Sequence, residues 1–237
     1  MLMTGRRRTA LATAAGLLTL VLGACSSDDS TPKAAEKTPE EVVAAAQQNL
    51  TETSGVSLTL STDDLPDGIS GIQKAVGVAT NAPAFEGTLT VTLSGQAFDV
   101  PVVAVDDKVY AQIPLTPGWS DVDPEDYGAP DPAGFLSADG GFAAILSSAT
   151  GLEKGDTVRG GADNSEILTT YTGTVPGEVV AQVIPGASGD FDLSAQITED
   201  DELRQMSLTG VFYSGSDPNT YTVDFEDYGT TKDITAP

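Results

Sequence analysis

The chain has 237 residues, of which 40% are hydrophobic, and it carries 35 acidic residues, 11 basic residues and no histidine. This length suits one globular domain with a full core. A net charge of −24 repels nucleic acids and anionic lipid headgroups, so nucleic-acid binding is excluded. The missing histidine removes Ser-His-Asp and Cys-His mechanisms and the usual zinc sites.

The N-terminus has the pattern of a bacterial lipoprotein signal. Arg6-Arg7-Arg8 precedes an apolar run that ends in Leu22-Gly23-Ala24-Cys25. A basic start, a short apolar core and small residues at a cleavage site are typical of a secretory signal. Cys25 is the one cysteine in the chain, and its thiol is the predicted lipidation site. The alternative is a plain signal peptide with an incidental cysteine.

This pattern predicts three segments. Residues 1–24 form the signal peptide, residues 25–37 the acylated cysteine and a flexible tether, and residues 38–237 the folded domain. No second apolar run approaches the ~18 residues that a membrane-spanning helix needs. The protein is therefore expected on the outer face of the cytoplasmic membrane, lipid-anchored in the cell envelope.

A helix is predicted to begin after Thr38. Pro39 suits the first helical position, and Glu41 completes a Thr-x-x-Glu capping box. An apolar stripe follows at helical spacing: Val42, Val43, Ala46 and Leu50. After Gly55 the period changes to two, which predicts a first strand with Val56, Leu58 and Leu60 on one face.

Residues 62–83 fit a helix or a strand, and we predict a strand at 78–81. From Phe85 the alternation is clear and predicts antiparallel hairpins with one apolar face. That face carries Leu89, Val91, Leu93, Phe98, Val100, Val102, Val109, Ala111 and Ile113. Pro101 predicts an edge or a bulge.

Residues 114–134 read as a long irregular connection, with helix starts at Asp131-Pro132 and Asp139-Gly140-Gly141. A short helix is predicted at 178–183, and the polar tail from Thr230 is predicted to fray. The apolar positions of this half are Phe135, Leu136, Phe142, Ile145, Leu146, Tyr171, Leu193, Ile197, Met206 and Leu208. Eight to ten alternating strands and few helices predict an α+β domain, a curved antiparallel sheet with helices on its concave side.

Two candidate sites follow from the residues. Carboxylates alternate from Asp121 to Asp126, but an EF-hand loop needs Gly at its sixth position and Glu at its twelfth. Those positions hold Asp126 and Pro132, so a solvated acidic loop is preferred. The apolar strand faces form either a dry core or a cavity, and periodicity leaves both open.

The order of motifs resembles the mycobacterial LppX/LprA/LprF/LprG lipoprotein family, with LprG and LprF as the nearest members. The likeness rests on Thr80-Asn81-Ala82-Pro83 before Gly87–Leu93, then Val105–Ala111, then Trp119-Ser120-Asp121 and Asp131-Pro132. None of these motifs is specific alone. Their order and spacing carry the resemblance from the lipobox to the last strand.

The resemblance implies a LolA-like half-barrel whose sheet and helices enclose an apolar cavity for acyl chains. Its ligands would be triacylated glycolipids, triacylglycerols or similar lipids, carried between membranes, and a major-facilitator transporter is an expected partner. Few basic residues are available for a phosphate headgroup, so a neutral lipid or a sugar head fits better. The cavity would be lined by Val56, Leu58, Leu60, Leu89, Val91, Leu93, Phe98, Val100, Val102, Val109, Ala111, Ile113, Phe135, Phe142, Ile145, Leu146, Tyr171, Leu193, Ile197, Met206 and Leu208.

Such a carrier needs no chemistry. We therefore expect a monomer that is not an enzyme and uses no cofactor or metal. The alternative function is a non-enzymatic envelope interaction or signalling module with a vestigial cavity.

Overall fold

The computed structural model describes residues 36–127, 129–161 and 164–237. The predicted signal peptide, Cys25 and most of the predicted tether lie outside the described residues. Lys37–Pro237 form one compact unit, and the description below concerns that unit.

Within the described residues, eleven strands form a single open antiparallel sheet. They are β1 (Gly55–Ser61), β2 (Gly71–Thr80), β3 (Ala84–Leu93), β4 (Gln96–Val105), β5 (Lys108–Ala111), β6 (Ser120–Val122), β7 (Thr150–Gly160), β8 (Glu166–Pro176), β9 (Ser188–Thr198), β10 (Leu203–Val211) and β11 (Asn219–Glu226). Their order is β6-β5-β4-β3-β2-β1-β11-β10-β9-β8-β7. The first and last strands of the domain therefore pair at its centre, where Leu58 lies opposite Phe225. The predicted fold class, a curved antiparallel sheet with few helices, is confirmed.

Helix α1 (Pro39–Glu52) begins at the predicted capping box. The Thr38 hydroxyl accepts a hydrogen bond from the Glu41 amide at 3.3 Å, and the Glu41 carboxylate accepts one from the Thr38 amide at 2.8 Å. Reciprocal bonds of this kind satisfy two amides that a helix start otherwise leaves unpaired. The predicted apolar stripe is buried in full.

Two shorter helices cross the concave side, α2 (Gly141–Ser147) and α3 (Gly177–Val180). Two 3₁₀ turns, Pro124–Tyr127 and Pro132–Gly134, interrupt the connection between β6 and α2. Asp131 caps the second turn by accepting the Ala133 amide at 2.9 Å, as the Asp-Pro pair indicates. Helix α3 is shorter than predicted and ends at Val180, before hydrogen-bonded turns that continue to Ile184.

Strand β2 begins at Gly71, seven residues before the predicted strand at 78–81. Its first half was not predicted because the pairing register with β3 is irregular there. Ile72 pairs with Val91 and Lys74 with Thr90, so β2 carries one extra residue between these pairs. An extra residue moves the following side chains to the opposite face. The alternation is therefore broken in the sequence although the strand is continuous.

Pro101 was predicted to mark an edge strand or a bulge. It lies in β4, which pairs with β3 and β5, but at the point where the pairing with β5 ends. Its carbonyl accepts a hydrogen bond from the Gln112 amide at 3.0 Å, just beyond the last β4–β5 pair, Val102 with Ala111. The N–H and C=O of one residue in an antiparallel strand point to the same side. The missing N–H of Pro101 thus faces the end of β5, where the ladder stops.

The prediction of a frayed C-terminal tail is wrong. Ile234 is buried against Ala84 and Val103, and Lys232 forms an ion pair with Glu86 at 3.1 Å. A single apolar residue in a polar segment shows no helical or strand periodicity, so the sequence did not predict that Ile234 is buried. The structure shows that it packs on the outer face of the sheet.

Candidate functional site: the concave face

The predicted cavity residues lie on the concave face of the sheet and on the helical segment that covers it, and most of them are buried. Fifteen of the 21 have less than a tenth of their surface exposed: Val56, Leu58, Leu60, Val102, Val109, Ala111, Phe135, Phe142, Ile145, Leu146, Tyr171, Leu193, Ile197, Met206 and Leu208. They belong to one continuous core. The apolar stripes of separate strands are thus brought together as one surface.

The other six lie toward the β3–β4 hairpin, where the helices cover less of the sheet. Leu89, Val91, Phe98, Val100 and Ile113 are half-buried, and Leu93 is 48% exposed. Leu89 pairs with Val100, and Val91 pairs with Phe98. The apolar face therefore continues past the helices to the hairpin tip.

A row of aromatic rings joins the helices to the sheet. Phe85 on β3 meets Phe135 edge-on at a centroid distance of 5.7 Å, and Phe135 lies 5.2 Å from Phe142 on α2. Phe142 in turn meets Phe225 on β11 at 5.4 Å. Such edge-to-face pairs stabilise packing beyond their buried area.

Two glycines make room for this row. A Cβ atom on Gly77 would lie 2.6 Å from the Phe85 ring, and one on Gly87 would lie 2.5 Å from it. The ring of Phe85 therefore rests directly on the backbone of β2 and β3. No larger residue fits at either position without displacing it.

An apolar seam lies between helices α2 and α3 and the sheet. Its lining is apolar except for one tyrosine: Leu60, Phe142, Ile145, Val180, Val183, Ile184, Met206, Leu208, Phe212, Tyr221 and Val223. The void inside it measures about 10 Å³, too small for more than a single water. In this structure the seam is closed.

The residues after β8 were not among the predicted lining, yet they form one wall of the seam. Val180, Val183 and Ile184 line it from α3 and the turn that follows. The sequence signal is a cluster of apolar residues between Pro176 and Pro185, which predicted the helix but not its position. Phe212, Tyr221 and Val223 also line the seam and were not among the predicted lining residues.

A hydrogen-bonded pair of tyrosines lies at the seam, which Tyr221 lines. The Tyr221 hydroxyl donates to the Ile72 carbonyl, and it lies 2.7 Å from the Tyr213 hydroxyl, which therefore donates to it. Burial raises the pKa of both phenols above the usual 10.0. Both hydroxyls thus stay protonated at neutral pH, and Tyr221 adds no charge to the seam lining.

A larger open groove lies on the other side of α3. It has a volume of about 840 Å³, within the range of roughly 300–1,000 Å³ typical of ligand pockets. It runs between the turn that follows α3 and the β5–β6 edge of the sheet. Its lining is acidic: Asp107, Lys108, Val109, Asp121, Val122, Asp123, Pro124, Glu125, Ala129, Pro130, Asp131, Ala181, Gln182 and Pro185.

The single lysine of the groove lining is already paired. Lys108 donates to the Asp121 carboxylate, and that hydrogen bond raises the Lys108 pKa. Four further carboxylates, those of Asp107, Asp123, Glu125 and Asp131, leave the groove negative.

Neither a metal site nor a membrane-spanning helix is found in the described part of the chain. No three acidic, cysteine or histidine side chains there are grouped so that they could hold a metal ion. The described helices are also too short or too polar to cross a bilayer.

These features define a class: single-domain open half-barrels whose apolar concave face is covered by a few helices. The model of the LppX/LprAFG lipoprotein family matches residues 38–236. The chain belongs to the LppX/LprAFG lipoprotein family, which confirms the resemblance seen in its motifs.

Solved structures agree with this fold. LprF from Mycobacterium bovis superimposes with a TM-score of 0.68 at 14% identity, covering 84% of this chain and 96% of LprF. LppX from Mycobacterium tuberculosis superimposes with a TM-score of 0.61 at 18% identity, covering 83% of this chain and 98% of LppX. The sequence has no significant match among curated proteins.

Proposed function

We propose that this protein is an envelope lipoprotein that binds an acylated lipid between helices α2 and α3 and the sheet, and carries it between membranes. The observation that carries the proposal is the seam, because its lining is apolar apart from one neutral tyrosine. Membership in a lipoprotein family supports a position at a membrane.

Since the seam is closed, binding requires the helices to move away from the sheet. Helix α2 has seven residues and no side-chain cap at its start, and α3 has four. Helices this short are not stable alone, so apolar contacts hold them in place. An acyl chain can replace those contacts with equivalent ones. Hiding a chain of sixteen methylenes from water is worth roughly 0.8 kcal/mol per CH₂.

The groove indicates which headgroup suits the site. Ala181 and Gln182 face the groove while Val180 and Val183 face the seam, so the end of α3 and the turn that follows it separate the two spaces. A lipid whose chains enter the seam would place its head in the groove. The carboxylates there disfavour a phosphate and favour a neutral head, as in a triacylglycerol or an uncharged glycolipid.

The test uses residues 26–237, which lack the apolar leader and keep the whole compact unit. The protein is incubated with vesicles containing triolein or phosphatidylinositol and examined by native mass spectrometry. We expect about one triolein per chain, as for a single site, and little phosphatidylinositol. Protein that stays empty with both lipids, and transfers neither between vesicles, would contradict the proposal and favour the interaction module.

A labelling experiment locates the lipid. The segment 26–237 has no cysteine, so Ile145→Cys introduces a single thiol into the closed seam. Bound triolein should lower its rate of alkylation below that of the lipid-free protein, because the acyl chain covers the seam. Ala104→Cys is the matched control, because Ala104 is equally buried but does not line the seam.

The anchor is tested separately in cells. We propose that Cys25 is acylated and holds the domain on the outer face of the cytoplasmic membrane. Cys25→Ala should release the protein from the membrane fraction and abolish the acyl mass increment. A variant that stays membrane-bound with the wild-type mass would contradict this assignment.

A further inference from the structure

The β3–β4 hairpin and the β5–β6 loop expose large apolar side chains on the same half of the sheet. Leu93 is 48% exposed, Leu115 is 106% exposed and Trp119 is 37% exposed. We call these three residues, together with half-buried Phe98, the apolar rim. Adjacent exposed apolar residues mark interaction surfaces more often than scattered ones do.

Strand pairing places the two segments beside each other. Strand β4 pairs with β5, and the Gln112 amide bonds to the Pro101 carbonyl where β5 ends. The hairpin continues from there to the last β3–β4 pair, Leu93 with Gln96. The hairpin thus projects beyond β5, and the loop leaves β5 in the same direction.

Neither packing nor backbone conformation accounts for a leucine at position 115. Its side chain is fully exposed, so it contributes nothing to the core. Its backbone has a φ of +69°, a conformation that glycine or asparagine adopts at less cost. Neither burial nor backbone conformation within the described structure therefore favours leucine at this position.

Both segments also lack charge in a highly charged protein. Residues 91–98 and 109–120 contain no Asp, Glu, Lys or Arg, although the chain has 35 acidic and 11 basic residues. A protein partner for so acidic a molecule would be expected to contribute basic residues and meet acidic ones. Uncharged loops with leucines and a tryptophan instead suit the interface of a lipid bilayer, where an indole ring is favoured.

We propose that the apolar rim docks the protein on a lipid bilayer by inserting Leu93, Leu115 and Trp119 into its interface. The neighbouring β1–β2 loop adds Asp63, Asp64 and Asp67 at the same end of the sheet. Asp64 accepts the Thr220 amide at 3.1 Å. These acids direct the rim toward zwitterionic or neutral surfaces.

The hairpin tip with Leu93 lies at the end of the sheet opposite to where the chain enters the compact unit. Lys37 forms an ion pair with Asp201, in the turn between β9 and β10. That turn lies at the same end as the β2–β3 turn, and β3 runs from there over ten residues to the hairpin tip. At about 3.3 Å per residue this is a distance of roughly 33 Å.

The proposal is independent of lipid transport, and Trp119 tests it directly as the one tryptophan of the chain. Residues 26–237 are titrated with phosphatidylcholine vesicles, and the Trp119 emission is recorded. We expect a blue shift and quenching by brominated acyl chains. Phosphatidylglycerol vesicles should give a smaller response because of the negative charge.

Two variants distinguish the rim from other apolar surface. Leu115→Asn relieves the backbone strain, so its melting temperature should not fall, while vesicle partitioning drops about tenfold. Leu93→Ser should act in the same direction. Val158→Thr is the control, since Val158 is 46% exposed on β7, on the opposite edge strand of the sheet.

Three outcomes would overturn the proposal. One is a Trp119 spectrum that vesicles do not change, and another is partitioning that Leu115→Asn leaves intact. The third is self-association in the absence of vesicles that Leu115→Asn abolishes, which would identify the rim as an interface between copies. Loss of docking with unchanged triolein binding in detergent would separate this result from failure of the proposed function.

Discussion

The ring of Phe142 on α2 meets the ring of Phe225 on β11 edge-on, with centroids 5.4 Å apart and planes at 82°. This contact fixes the covering helix on the strand that pairs with β1 at the centre of the sheet. Any ligand that enters the seam beneath α2 must displace contacts of this kind.

Removing that ring should destabilise the protein strongly. We expect Phe142→Ala to lower the free energy of unfolding by about 3–5 kcal/mol, because it leaves a cavity in a dense core. Urea denaturation measures the change, and Tyr127→Ala, at a side chain 66% exposed, is the control. Equal effects in the two variants would show that α2 is not held by this contact.

The ring of Phe85 packs against the backbone at Gly77, so adding a methyl group at position 77 should have a measurable effect on stability. A Cβ at position 77 would lie 2.6 Å from both the Phe85 ring and the Glu86 carbonyl. Gly77→Ala should therefore cost about 1–3 kcal/mol through overpacking. Gly155→Ala is the matched control, because the nearest atom to its Cβ would be 3.4 Å away, and it should change the urea midpoint little.

The tyrosine pair predicts sensitivity to alkali. Burial raises the pKa of Tyr213 and Tyr221 in the folded state above 10.0, so unfolding releases their protons at high pH. Their contribution to stability is present below pH 10.0 and is lost as the pH rises through the folded pKa values.

The Tyr221→Phe variant tests this dependence. It should be less stable than wild type at neutral pH, since the Ile72 carbonyl loses its donor, and should lose less stability above pH 10.0. Thermal melts across the alkaline range measure both effects. The exposed Tyr127, changed to Phe, should leave the pH profile unchanged, and an identical profile for Tyr221→Phe would refute the assignment.

The Glu166–Arg204 pair predicts the behaviour in acid. Arg204 donates to both carboxylate oxygens of Glu166, at distances of 2.7–3.1 Å, and these bonds lower the Glu166 pKa below 4.5. The stability that this carboxylate contributes is present above pH 4.5 and is lost as the pH falls through its lowered value.

Glu166→Gln should therefore reduce the free energy of unfolding near neutral pH by about 1.5–3 kcal/mol, the range for hydrogen bonds to charged groups. The difference from wild type should shrink as the pH drops below 4.5. Glu226→Gln, at an exposed position, provides the control. A difference that stays constant down to low pH would mean that the pair does not stabilise the fold through its charge.

Local chemistry in the sequence determined the start of α1, most strands and the fold class. Thr38 and Glu41 fix the helix start through bonds between residues three apart, and alternation along β3, β9 and β11 follows from the pleat. Such features depend on near neighbours, so they can be read in order along the chain. Family membership was also visible in the motif order.

Only the tertiary structure decided where the apolar faces meet and how much space lies between them. Val180 and Ile184 line the seam together with Leu60 and Val223 of the sheet. Ile234, near the C-terminus, packs against Ala84 and Val103. Leu93 continues the same alternation as Phe85, yet one is exposed at a hairpin tip and the other is buried. Periodicity assigns a side chain to a face, but burial depends on what covers that face, and this is set by contacts between residues far apart in sequence.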